Sequence, residues 1–193
     1  MLYKFLSGLA KGVTHCIFRV KVVGKENVPK DGGMILAVNH KSNWDPIFAG
    51  AYCPRPLRFM AKADLFKNKL FGGLIKKLGA FPIQRGRGDI GAIKGAFSIL
   101  KNNDAMLIFP EGHRIKNGKR VKAKLGVSMI AVYAKVPVIP LCISGEYKPF
   151  HKVTLTFGEP ITFEEYYGKK PDNETLQTLA DEVMQTIYSF DNT

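Results

Sequence analysis

The chain has 193 residues, 46% of them hydrophobic, enough for one domain with its own core and too few for two comfortable ones. Its three cysteines, Cys16, Cys53 and Cys142, are widely spaced, odd in number and without a C-x-x-C pair, which argues against a disulfide framework or a zinc site and for a reducing compartment. Lys and Arg outnumber Asp and Glu by 29 to 16, a net charge of +13 that suits polyanionic partners (nucleic acid, anionic lipid, an acidic protein) and equally suits a well-solvated surface.

The first 17 residues have helical spacing: Leu2, Phe5, Leu6, Leu9, Val13 and Ile17 form one apolar stripe, with Lys4, Ser7, Lys11 and Thr14 mostly elsewhere. Such a helix either lies in a membrane interface or packs its stripe on the domain core. Lys4 and Lys11 interrupt the apolar stretch and no small-residue cleavage site follows, so neither a signal peptide nor a span is expected. No other run reaches the ~20 apolar residues a spanning helix needs.

Strand-length apolar runs follow at residues 18–23, 34–38, 57–61, 80–83, 105–109, 136–143 and 153–157. Helical patterns lie between them near 45–53, 64–78, 89–102 and 123–134, with a last one at 173–190. Strands alternating with helices predict an α/β fold: a mainly parallel central sheet covered by helices, with the amphipathic helix at the N-terminus. The breaks, such as "NVPKDGG" (27–33) and "KNND" (101–104), are turn chemistry rather than linkers, so residues 1–193 read as a single domain. Pro137 and Pro140 within one apolar run imply an edge strand or a bulge.

"AVNHKSNWD" (37–45) places His40 and Asp45 just past a buried strand. Ligands of open α/β sheets bind outside the carboxyl ends of strands. A short turn there brings a carboxylate to an imidazole, which can then accept a hydroxyl proton while the carboxylate stabilises the imidazolium. Asp45 before Pro46 is also a helix-start signal, with Asp45 as the N-cap. Three further stretches accompany the pair. In "GAFPIQRGRGD" (79–89) a strand runs into Arg85 and Arg87, whose guanidinium forks suit a phosphate. "AMLIFPEGHR" (105–114) ends a buried strand at Glu111, Gly112 and Arg114. "KVPVIPLCISG" (135–145) supplies an apolar wall.

In this order and spacing the four stretches resemble the glycerolipid acyltransferase family that makes phosphatidic acid from lysophosphatidic acid. The family's N-H-x-[SQ]-x-x-D matches Asn39, His40, Ser42 and Asp45; its strand ending in arginine matches "FPIQR" with Arg85. F-P-E-G-T-R-S matches Phe109, Pro110, Glu111, Gly112 and Arg114, and V-P-[IV]-[IV]-P matches residues 136–140. "FMAKADLF" (59–66) is similar to a family stretch carrying a basic residue, here Lys62. The likeness spans residues 18–163; His113 stands where the family has Thr, and Ile115–Lys116 where Ser often follows, departures that bear on acceptor choice rather than reaction type.

The resemblance implies transfer of a fatty acyl group from an acyl-carrier-protein or coenzyme A thioester to a glycerophosphate hydroxyl. His40 would be the base and Asp45 its orienting partner. Arg85, Lys62 and Arg114 would hold the acceptor phosphate, in a pocket shaped by Glu111 and Gly112, whose N–H would assist. No metal and no cofactor beyond the thioester co-substrate is implied. The partners expected are a lysophospholipid, the thioester donor and an anionic membrane surface, with the protein cytoplasmic and peripheral on the inner face of the cell membrane. Glycerol 3-phosphate, another lysophospholipid or an ornithine-type lipid are alternative acceptors.

Two other classes fit less well. A nucleic-acid module would interleave aromatic and basic residues, and no recognition motif is evident. A serine or cysteine hydrolase would need an elbow such as G-x-S-x-G, which "SGEYK" and "GAFSIL" do not match.

Overall fold

A computed structural model of the chain describes residues 2–83, 90–115 and 120–191. Seven strands make one sheet in the order β1-β7-β6-β2-β5-β3-β4, where β1 is Arg19–Val23, β2 Met34–Val38, β3 Leu57–Lys62, β4 Ala80–Ile83, β5 Ala105–Ile108, β6 Val138–Gly145 and β7 Lys152–Phe157. Every pairing is parallel except β6 with β7. The mixed α/β architecture and its mainly parallel sheet are those read from the alternation of periodicities.

β2 shows why its run is continuously apolar. Met34, Leu36 and Val38 face one cluster with Phe48, Ala49 and Tyr52 of helix α2 (Asp45–Tyr52), whereas Ile35 and Ala37 face the other, under α4 (Ile90–Lys101), α5 (Gly126–Ala134) and α6 (Asn173–Ser189). A strand covered on both faces has no solvated side to mark with polar residues. Its carboxyl end, between those of β5 and β6, opens onto the site described below.

Of the two readings of Pro137 and Pro140, an edge or a bulge, the bulge holds: β6 is interior, paired with β2 on one side and β7 on the other, and its register slips by one residue between Leu141–Phe157 and Val138–Ile161. Its prolines fit because Pro137 precedes the strand and contributes only its carbonyl, to Ile35 N–H, while Pro140 sits where the ladder to β7 is interrupted. There Val138 exchanges hydrogen bonds with Ile161, and Gly158 N–H donates to the Pro140 carbonyl. The helix expected over 64–78 is divided. Residues Ala63–Phe66 form a 3-10 turn, and Asn68 accepts from Phe71 N–H at 3.0 Å as the N-cap of α3 (Lys69–Lys77), because a short amide side chain captures a free helix N–H better than another turn of helix would.

Helix α1 (Leu2–Ile17) docks by its polar face. Tyr3 hydroxyl donates to Gly50 O and accepts from Leu57 N–H, Ser7 donates to Ala51 O, and Thr14, fully buried, meets Tyr52 hydroxyl at 2.8 Å. Most of the apolar stripe is thereby turned outward, with Phe5 69% and Leu9 56% exposed, while Leu6 and Ile17 stay half-buried. Most of the stripe is therefore not packed on the protein's own core. Among the described residues no helix is long and apolar enough to cross a membrane.

Candidate active site

Asn39 leaves β2 but prolongs its ladder: the side-chain amide donates to Ile143 O at 3.1 Å and accepts from Ile143 N–H at 2.8 Å, so a carboxamide stands in for the next peptide group. This fixes where His40 begins. His40 N–H then donates to Glu111 Oε2 at 2.6 Å, its carbonyl accepts from Ile115 N–H at 2.7 Å, and its ring stacks on Phe109 with centroids 3.9 Å apart. All three contacts come from the one segment that follows β5.

The chain folds back over residues 40–45, and Asp45 Oδ2 reaches His40 Nδ1 at 2.8 Å. The same oxygen accepts from Lys41 N–H at 2.7 Å and Ser42 N–H at 2.6 Å, and Oδ1 accepts from the Tyr147 hydroxyl. Asp45 is fully buried. It is the first residue of α2, preceded by Trp44, and its carboxylate turns back to the loop before the helix. The N-cap expectation is therefore corrected: a cap accepts from N–H groups that follow it, and these precede it. With Nδ1 occupied by the carboxylate, Nε2 is the imidazole nitrogen open to a substrate proton.

The other residues singled out in the sequence are placed as follows. Glu111 is buried at the end of β5 beneath His40, its second oxygen 3.4 Å from the Tyr188 hydroxyl of α6. Gly112 has φ 75, a left-handed conformation that favours glycine, and its N–H closes the turn onto Phe109 O at 3.0 Å, so that donor is already engaged. Arg114, exposed, donates to Asn43 Oδ1 at 2.8 Å and so stands beside the His40–Asp45 loop. Lys62 ends β3, exposed and ion-paired with Asp64 at 2.5 Å; Lys62 and Lys67 together hold the Asp64 carboxyl down at about 2. Its register partner is Ile83, and Arg85 lies outside the described residues. Among the described residues no cluster of His, Cys, Asp and Glu is arranged to hold a metal ion.

Burial raises the Glu111 carboxyl to about 7, against opposing hydrogen bonds from His40 N–H and Tyr188. Unfolded, a glutamate titrates near about 4.5, so between these values the native state binds the extra proton and stability falls as pH rises. The fall should total at most about 3 kcal/mol and level off above about pH 7. Glu111→Gln keeps an acceptor for His40 N–H and should flatten that slope, as urea midpoints measured between about pH 5 and about pH 7 would show.

Beside the loop lies an apolar cavity of about 410 Å³, within the range of small-molecule pockets. Leu6 and Ala10 of α1, Ile47 of α2, Leu74 and Ile75 of α3 and Leu107 of β5 line it, with Asn43 of the His40–Asp45 loop. An imidazole–carboxylate pair with an apolar chamber and an arginine alongside can activate a hydroxyl next to a hydrocarbon chain.

Sequence reasoning did not single out Tyr147 or Tyr188. Tyr147 contacts Asp45 across 102 positions and Tyr188 contacts Glu111 across 77. Neither carries a local signal.

Comparison with known proteins finds relatives over the whole chain. The profile of the Acyltransferase family matches residues 19–144. A 1-acyl-sn-glycerol-3-phosphate acyltransferase of Bacillus subtilis (strain 168) is 32% identical over 197 residues, covering 99% of this chain and 98% of its own. One from Streptococcus pneumoniae is 33% identical over 200 residues, covering 99% and 74%. The crystal structure of a 1-acyl-sn-glycerophosphate (LPA) acyltransferase from Thermotoga maritima superposes with TM-score 0.78 at 28% identity, over 99% of this chain and 80% of that one.

Proposed function

The chain belongs to the acyltransferase family, and from that premise we propose that it moves a fatty acyl group onto the sn-2 hydroxyl of lysophosphatidic acid, giving phosphatidic acid in phospholipid biosynthesis. The observation that carries the reading is His40 Nδ1 held 2.8 Å from a buried Asp45, beside an apolar cavity of about 410 Å³.

In the mechanism proposed, His40 Nε2 takes the proton of the acceptor hydroxyl as its oxygen bonds to the thioester carbonyl carbon. Asp45 stabilises the imidazolium that results. The tetrahedral intermediate collapses with loss of thiolate, which recovers the proton from His40. Base, counter-charge and leaving group are all accounted for, so the reaction as drawn calls for neither a metal nor a redox cofactor. The cavity suits an acyl chain. Arg85, Lys62 and Arg114 are assigned to the acceptor phosphate. The donor is a phosphopantetheine thioester, on acyl carrier protein or coenzyme A; both are anionic, and a net charge of +13 favours their approach.

The outward stripe of α1, with Lys4 and Lys11, supports peripheral attachment to an anionic membrane on its cytoplasmic face, where the acceptor resides. α3 adds to the same character, with Leu70 90% and Phe71 47% exposed among Lys67, Lys69, Lys76 and Lys77. A helix that binds by one apolar face attaches reversibly.

The reading is tested with purified protein, labelled acyl thioesters on both carriers, and lysophosphatidic acid, glycerol 3-phosphate, a neutral lysophospholipid and an ornithine lipid in mixed micelles. Phosphatidic acid should be the main product; preference for another acceptor would reassign the substrate, and free fatty acid without transfer would make the protein a thioesterase. Arg85→Ala should raise the acceptor KM about tenfold or more while the donor KM stays near wild type, since a charge-assisted bond to phosphate is lost.

A further inference from the structure

The Asp45 carboxylate is fully buried, and its two oxygens are served unequally. Oδ2 has three partners from its own loop: His40 Nδ1, Lys41 N–H and Ser42 N–H. Among the described residues Oδ1 has one donor, and it comes from another part of the fold, the Tyr147 hydroxyl. Burial and the adjacent carboxylate push that phenol far above its ordinary range, so it stays protonated and donates.

The chain is built to bring Tyr147 there. β6 ends at Gly145, whose φ of 95 is left-handed; a Cβ at this position would stand 2.2 Å from Lys152 O. That tight turn carries residue 147 back over the site. The Tyr147 ring stacks on Phe48 of α2 with centroids 5.7 Å apart and meets Phe18 edge-on at 6.1 Å. Lys41, next to His40, closes over it: its Nζ donates to Gly145 O at 2.9 Å and lies 5.4 Å from the Tyr147 ring centroid. Ring and clasp hold the hydroxyl on the carboxylate oxygen that the loop itself does not serve.

We propose that Tyr147 is a positioning residue of the His40–Asp45 pair, its hydroxyl anchoring Asp45 Oδ1 and drawing off part of the charge that the carboxylate presents to the imidazole. The proposal rests on the base assignment made above. A carboxylate with an unshared negative oxygen would favour the imidazolium more strongly and keep the base protonated to higher pH. The phenol sets that balance among the other charged and titratable groups around it: Lys41 on the loop, Glu111 after β5, Cys142 on β6 and Asp191 after α6.

Tyr147→Phe keeps the ring and its stacking and removes only the donor. Plateau kcat should fall about three- to tenfold with the acceptor KM little changed, and the acid limb of the pH–rate profile should rise by about half to one pH unit. Replacing Tyr147 by 3-fluorotyrosine, a stronger donor of nearly the same size, should move the limb the opposite way. A Tyr147→Phe limb that coincides with wild type, whatever happens to kcat or thermal stability, overturns the proposal, as does an upward shift with fluorotyrosine. If His40→Ala retains turnover, the base assignment itself has failed; if His40→Ala is inactive and Tyr147→Phe behaves as wild type, only the role of Tyr147 has.

Discussion

His40→Ala is expected to lower turnover by about 10²–10⁴-fold while the chain still folds. Both halves of that expectation come from the geometry. In the mechanism proposed Nε2 takes the acceptor proton, since Nδ1 is engaged by Asp45. Its removal leaves no buried donor or acceptor stranded. Asp45 Oδ2 keeps Lys41 N–H and Ser42 N–H, and the His40 backbone N–H and carbonyl keep Glu111 and Ile115. What is lost is a partly exposed ring stacked on Phe109, a cost of about 1–2 kcal/mol. Turnover assayed beside a thermal melt checks the two halves separately, and near wild-type turnover would remove the base assignment.

Asp45→Asn is expected to cut turnover by a similar factor, about 10²–10⁴-fold, at a small cost in stability. The retained oxygen can serve Lys41 N–H, Ser42 N–H and His40 Nδ1–H, while the new amide N–H₂ faces Tyr147, whose hydroxyl can turn to accept. Shape and hydrogen bonding survive; the negative charge that stabilises the imidazolium does not. Asp45→Ala is different, because it strands two backbone N–H groups and a phenol, all half-buried around a fully buried position, at up to about 1–3 kcal/mol each. Chemical denaturation of both variants separates the roles. If Asn destabilises as much as Ala, and the folded fraction turns over normally, Asp45 serves the fold rather than the chemistry.

These two substitutions differ from Glu111→Gln in what they disturb. Glu111 contacts the His40 backbone rather than its ring, so it acts on where the imidazole sits, and its effect reaches stability through the pH at which its carboxyl ionises. Tyr147 and Tyr188 extend the same arrangement outward, each touching one of the carboxylates. The imidazole is thus set by contributions from β2, β5, the turn after β6, and α6.

Much of this was legible in one dimension. Strand and helix positions followed from periodicity, because burying one face or both imposes a repeat of 2 or 3.6, or a continuous apolar run, on the residues themselves. The H-x₄-D spacing was legible because both members lie on one short turn, where sequence separation and distance in space agree. Other features were decided only by packing. Helix α1 had a stripe that pointed equally well inward or outward, and the hydroxyls of Tyr3, Ser7 and Thr14, finding partners on α2 and at Leu57, settled it. The prolines of β6 left an edge or a bulge open, and the one-residue slip in its pairing beside Pro140 decided for the bulge. The tyrosine on Asp45 and the glutamate under His40 are 102 and 71 positions away from their partners, and contacts at such separations leave no repeat or spacing in the chain. The amino-acid order specified which groups do the chemistry proposed here; folding alone determined which side chains hold them still.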